Sequence, residues 1–214
     1  MVVVSLCDHT GNMVKPWSEA GFKCYCIDLQ HNGVTTKGNI TFIGADITKC
    51  ISTWLPANEK IGIAFGFPPC THTAVSGSKY FRSKGPRGAA EAFTLIARVD
   101  SLLRYFQCPY MWEQPVATTS TYCGQPDHTF DPYQYAGYLQ EPKHNAYTKK
   151  TCLWTGGGFV MPEPKPIAPI RVCKQGSWVQ KLGGKSVETK NKRSATPMGF
   201  AIAVFEANKH CLTL

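Results

Sequence analysis

The chain has no apolar run of membrane-spanning length, no Cys-x-x-Cys pair, and few acidic side chains. The first absence argues against a membrane helix. The N-terminal stretch MVVVSLCDH lacks a basic n-region and turns polar almost at once, so it reads as a buried strand and not a signal peptide. The second absence weakens the case for a zinc module, although ten cysteines are present. Cys24 and Cys26 would point to opposite faces of one strand and cannot cross-link there. Reduced thiols in a cytoplasmic protein fit this usage better than a disulfide scaffold. The acidic deficit is 14 Asp and Glu against 23 Lys and Arg, a formal net charge of +9. Such a balance favours a polyanionic partner. Residues 79–87 and 181–193 carry much of the excess.

Hydrophobic residues make up 43% of the 214 and charged ones 17%, which suits one well-buried globular domain and argues against disorder. Strands are expected at 2–6, 24–29, 41–47, 61–67, 110–116 and 151–155. Pro16 is placed to open a short helix that Gly21 ends. Within 89–106, Phe93, Ile96, Val99, Leu103 and Phe106 share a helical face. Thr196 and Pro197 resemble an N-cap and first-turn proline for a last helix running to Asn208, with Phe200, Val204 and Phe205 inward. This alternation predicts an α/β fold with a mostly parallel sheet covered on both faces. Residues 117–147 are too long for an ordinary connection and are expected to hold small elements. Residues 161–169 read as extended, and 174–193 as a mobile basic segment. Trp154 and the tyrosines 133, 135 and 138 are expected to pack, although tyrosines could also stack on bases.

Doubly wound sheets bind ligands at the carboxyl ends of their strands. After the first strand come Asp8, Gly11, Asn12 and Met13, small or polar groups suited to a cofactor. Asp28, with Leu29, ends the second strand, where an acid commonly accepts ribose hydroxyls. Asp46 and Ile47 follow the third. The fourth runs through Phe67 into Pro68-Pro69-Cys70, and two prolines fix the backbone that carries the thiol. The fifth ends Glu113-Gln114-Pro115. A thiolate that adds to carbon-6 of a pyrimidine activates carbon-5 as a nucleophile, and a carboxylic acid at nitrogen-3 offsets the charge that develops. His72 is near enough in sequence to influence the thiol, and Lys79, Arg82, Lys84 and Arg87 could grip phosphates.

These motifs resemble those of the DNA cytosine-C5 methyltransferases, in a short phage or prophage form. Pro68-Pro69-Cys70 resembles the nucleophile motif, and Glu113-Gln114-Pro115 resembles the Glu-Asn-Pro motif with Gln114 in place of asparagine. Asp8–Met13 resembles the cofactor loop, with Cys7 where an aromatic residue is usual and His9 at its first glycine. Asp28 and Asp46-Ile47 match the second and third motifs. Residues 147–154 and 194–208 resemble further stretches of the same proteins.

The resemblance implies a Rossmann-like S-adenosylmethionine-dependent methyltransferase fold with a reduced C-terminal recognition region. Catalysis would fall to Cys70 and Glu113. S-adenosyl-L-methionine would lie against Asp8, Gly11, Asn12, Met13, Asp28, Leu29, Asp46, Ile47, Phe67 and Pro69. Lys149, Lys79 and Arg82 would meet the substrate. The implied layout is a catalytic domain at 1–165, a basic segment at 166–193 and a returning helix at 194–214. The implied partner is duplex or single-stranded DNA in a host cytoplasm, with a homodimer as one way to complete recognition. The family's Arg-x-Arg pair would fall near Lys149 and Thr151, where one cation remains. RNA or a nucleotide as acceptor, a modified methyl donor, and a non-catalytic nucleic-acid or cofactor-binding phage protein are the alternatives.

Overall fold

A computed structural model of the chain describes residues 1–56, 58–74, 78, 81–172, 174, 176–182 and 186–212, without the side chains of residues 84 and 180. Eight strands form one sheet: β1 (Val2–Leu6), β2 (Cys24–Ile27), β3 (Val34–Lys37), β4 (Ile40–Ile43), β5 (Ile61–Gly66), β6 (Tyr110–Pro115), β7 (His128–Phe130) and β8 (Thr151–Gly156). Their order is β3-β4-β2-β1-β5-β6-β8-β7. The central run β4-β2-β1-β5-β6 is parallel. β3 and β8 run antiparallel to β4 and β6, and β7 antiparallel to β8. The expected α/β class and mostly parallel sheet are therefore present. The chain winds outward from β1 in both directions, so the strand order reverses between β1 and β5.

β1 is buried at all five positions, which is why VVVSL shows no polar alternation. Its side chains alternate between two cores. Val2, Val4 and Leu6 meet Ile96, Val99, Leu102 and Leu103 of α2 (Phe81–Tyr105). Val3 joins Ile63 and Phe65 of β5 on the other face, against Trp17 of α1 (Lys15–Glu19) and Phe200 and Val204 of α6 (Met198–Asn208). Helix α2 is broken at Gly85, which lies at φ 69° and ψ 177°. That conformation favours glycine, and Pro86 then starts the regular part.

Three expectations need correction. The strand expected at 41–47 ends at Ile43, so Asp46 and Ile47 lie beyond it. Before it comes an unexpected exposed strand, β3, in place of a crossover helix. The last helix begins at Met198, with Pro197 as an extended cap residue at ψ 128°. Thr196 is therefore not the N-cap; it is buried, and its carbonyl accepts a bond from Asn12. Between 117 and 147 lie α3 (Thr119–Cys123), β7 and two short 3-10 turns, the small elements expected there. The basic segment contains α4 (Trp178–Lys181) and α5 (Val187–Ser194). Trp154 stacks on Trp112 at 4.2 Å between ring centroids, and Tyr135 packs beside Phe130 and Phe200.

Trp17 is fully buried and meets Phe205 edge-on at 5.0 Å. Its indole nitrogen has no hydrogen-bond partner among the described residues. Trp17→Ala should lower unfolding free energy by about 3–5 kcal/mol in urea titration. Trp17→Phe should cost far less, because no polar contact is lost. Equal costs would show that the indole N–H matters.

Candidate active site at the carboxyl ends of the strands

The nucleophile loop leaves β5 and is tied to β6 by one side chain. Gln114 is 1% exposed. Its amide nitrogen donates to the Pro68 carbonyl, and its carbonyl oxygen accepts from the Thr73 hydroxyl at 2.9 Å. The loop then closes on itself, with the backbone N–H groups of Thr73 and Ala74 donating to the Cys70 carbonyl at 3.1 and 3.0 Å. Ala74 also bridges to Ala117. Pairing of Gly66 with Trp112 sets β5 and β6 side by side, so their exits emerge together.

Glu113 faces Lys149, with Nζ and Oε1 3.8 Å apart. Both are largely enclosed, with 20% of the lysine side chain and 13% of the glutamate exposed. Lys149 is held on two sides: its N–H donates to Asp131 at 2.6 Å, and its carbonyl accepts from the Thr151 hydroxyl at 2.9 Å. Thr151 thus braces the backbone that carries the cation. Cys70 is partly buried. Burial pushes its thiol pKa up, and the Glu113 charge adds to the rise. Lys149, and more weakly Arg193, oppose it. The sequence-predicted groups Cys70, Glu113 and Lys149 are therefore brought together. Burial pushes Cys24 and Cys108 up to about 12. Cys50 is exposed and its pKa is lowered, chiefly by a hydrogen bond with Ser52. Among the described cysteines, thiol acidity alone would select Cys50; of these only Cys70 has both Glu113 and Lys149 beside it.

The opposite half of the edge is acidic. Cys7, at φ 56°, follows β1, and its thiol is raised by burial and then by Asp28, Asp8 and Asp46. Three expected cofactor-side acids thus converge on one point. Asp8 is committed to its own loop: its carboxylate accepts from the Ser5 and Thr10 hydroxyls and from the N–H groups of Thr10 and Gly11 at 2.8–3.1 Å. Burial nonetheless raises its pKa. Gly11, at φ 69°, lies where an added Cβ would press on the Phe42 ring at 3.0 Å. Asn12 reaches the Thr196 carbonyl at 3.0 Å. Asp28 accepts the Gln30 N–H at 2.8 Å through one oxygen, and Leu29 is 73% exposed. Asp46 accepts the Thr48 N–H and hydroxyl, which lower its pKa.

Other expected residues stand elsewhere. Met13 is fully buried beside Trp17 and Ile47 is 4% exposed, so both side chains serve the core. Phe67 is half-buried against the α6 face, and Pro69 is exposed beside Cys70. Arg82 is exposed and lines a recess of about 460 Å³ with His72, Phe93 and Tyr122. Lys79 lies outside the described residues. A second recess, about 340 Å³, is lined by His9, His31, Lys37 and Phe42.

Sequence reasoning missed Gln114 as the loop's clamp, Thr73 as its partner, and Arg193. For Gln114 the signal was its place within Glu-Gln-Pro at a strand end. For Arg193 there was only charge.

No protein-family model and no curated protein matches the chain. Among solved structures, one neighbour is a prophage-encoded protein of E. coli, provisionally described as a DNA modification methyltransferase. The match has 12% identity and a TM-score of 0.42, and covers 73% of this chain and 46% of that one. The chain thus spans about half the length of that protein. A likeness this shallow assigns no reaction. Among the described residues, no helix is long and apolar enough to cross a membrane.

Gln114→Leu leaves the Pro68 carbonyl and the Thr73 hydroxyl without their partner. The expected cost is about 1–3 kcal/mol in urea titration. Iodoacetamide should also alkylate Cys70 faster relative to Cys50, read by peptide mass spectrometry. An unchanged ratio would mean that Gln114 does not hold the loop.

Proposed function

We propose that the protein transfers a methyl group from S-adenosylmethionine to carbon-5 of cytosine in DNA through a covalent Cys70 adduct. The observation that carries this is the meeting of Cys70 and Glu113, at the exits of the adjacent parallel strands β5 and β6, with Lys149, just before the antiparallel β8. The parallel strands also follow the order of a doubly wound nucleotide-binding sheet, with the reversal between β1 and β5 beside both groups of residues.

The cofactor fits the acidic half of this edge. Asp8, Asp28 and Asp46 give it a negative field, which suits a cationic ligand. Asp28 keeps one oxygen without a hydrogen bond among the described residues and can accept from a ribose hydroxyl, while Leu29 offers exposed apolar surface for an adenine. Asp46 would complete the rim, and Gly11, Asn12, Phe67 and Pro69 would border it. When bound, S-adenosylmethionine supplies an electrophilic methyl group on a positively charged sulfur.

In the reaction, the Cys70 thiol gives up its proton to the Glu113 carboxylate and the thiolate adds to carbon-6 of the base. The displaced electron pair moves toward nitrogen-3, where Glu113, now carrying the thiol's proton, acts as the acid that offsets the charge. Carbon-5 then accepts the methyl group. Loss of the carbon-5 proton to a base restores the double bond, and the Cys70–carbon-6 bond breaks to release the thiolate. Lys149 orients Glu113 and favours the thiolate against the rise caused by burial.

The test is incubation with labelled S-adenosylmethionine and DNA containing 5-fluorocytosine, whose fluorine blocks the last proton loss. A covalent complex should form, and Cys70→Ser should abolish it. Cofactor binding without an adduct on DNA, RNA or nucleotide would replace this reading with a binding protein. The pH dependence has a defined sign. Cys70 alkylation should speed up as pH rises through its raised pKa. Lys149→Met removes the opposing cation and should move that inflection to higher pH, whereas Glu113→Gln removes a neighbouring anion and should move it lower. Shifts of the opposite sign would refute the assigned arrangement.

A further inference from the structure

Helix α5 is tied to the acidic half of the site edge, and the chain after it reaches Asn145, four residues before Lys149. Ser186 caps it by accepting the Thr189 N–H at 3.2 Å. The Asn191 amide donates to Gln30, just past β2, at 3.0 Å. Beyond the helix, the Thr196 carbonyl is held by Asn12 in the loop after β1. These two ties fix the end of α5 over the carboxyl edge of the sheet. Arg193 stands in that last turn, exposed, and its charge acts on Cys70.

The cations near the nucleophile are not equivalent. Lys149 is paired with Glu113, so its charge is already matched. Lys192, one residue before Arg193, is paired with Glu188 at 2.7 Å. Arg193 makes no ion pair among the described residues. A nucleotide whose base meets Cys70 brings a phosphate with it, and guanidinium is the side chain best matched to phosphate, with two parallel N–H donors.

Building on the methyltransferase reading, we propose that Arg193 binds the phosphate of the nucleotide whose base reacts with Cys70, as a second cation supplied from the distant basic segment and not from beside Lys149. The ligand class is a pyrimidine nucleoside phosphate, carried either in a strand or free. In this arrangement the segment of residues 174–193 contributes a defined contact at the reacting nucleotide in addition to general positive charge.

The experiment compares four probes with the full chain and S-adenosylmethionine: 5-fluoro-2′-deoxycytidine, its 5′-monophosphate, and single-stranded and duplex oligonucleotides with one 5-fluorocytosine. The rate of Cys70 adduct formation is measured for wild type, Arg193→Gln and Arg193→Lys. Wild type should favour phosphorylated probes over the nucleoside. Arg193→Gln should lose about tenfold or more on phosphorylated probes relative to its effect on the nucleoside, which reports only the charge lost from the surroundings of the Cys70 thiol, and Arg193→Lys should recover part of the loss. A preference already present with the monophosphate assigns the contact to a free nucleotide; one confined to oligonucleotides assigns it to a strand. An unchanged phosphate preference in Arg193→Gln overturns the proposal. An equal loss on all four probes also overturns it, because a merely structural arginine would affect them alike. If wild type forms no adduct, the methyltransferase reading fails by itself. Calorimetric binding of deoxycytidine monophosphate then decides about Arg193: weaker binding to Arg193→Gln supports the contact, and equal or absent binding overturns it.

Discussion

The site depends on one buried amide. Gln114 bonds the carbonyl of Pro68 and the hydroxyl of Thr73, and so holds both sides of the loop around Cys70 to β6. Glu113 precedes it in the same strand and turns to the other face of the pleat. The thiol-bearing loop and the carboxylate are thus positioned by consecutive residues, and whatever fixes one fixes the other. Two prolines limit the remaining freedom of the loop. A side chain that cannot make both bonds would leave polar groups stranded in a dry interior, which costs more than the bonds themselves contribute.

The edge divides into two electrostatic halves. Around Cys7, burial is combined with Asp8, Asp28 and Asp46, so the field there is negative and the thiol stays protonated. Around Cys70, one carboxylate is set against Lys149 and Arg193. The two halves meet between the adjacent parallel strands β1 and β5, at the point where the chain's winding direction reverses. A cationic donor and an anionic acceptor would each find the complementary half, with their reacting atoms drawn toward the boundary.

Much of this was legible in the sequence because burial on both sheet faces leaves uninterrupted apolar runs, and β5 runs into two prolines that cannot continue a strand. The helical face from Phe93 to Phe106 was visible for the same reason, through its spacing. Cys70 and Glu113 could be named because they lie at strand ends, whereas Lys149 was named only through the family resemblance. The hairpin strand β3 was hidden, since its residues are exposed throughout and show no apolar signal. The start of α6 was misplaced by one residue because Pro197 satisfies the rules for both a cap and a first-turn position. The reach of Arg193 toward Cys70 depends on tertiary ties through Asn191 and Asn12, which leave no periodic trace. Met13 and Ile47 sat in cofactor motifs by position, yet their apolar side chains were claimed by the core.

The hairpin between β2 and β4 has a cost for solubility. Parallel neighbours are usually joined by a helix that covers the sheet; here the connection turns back as β3, which is exposed at all four positions. That leaves an unpaired strand border facing solvent, a template for adding another chain. The exposure is limited by a run of four residues with a lysine at its end, Val-Thr-Thr-Lys, too short and too polar to recruit a partner strand readily. The same shortness that economises on chain length thus keeps the border inert toward self-association.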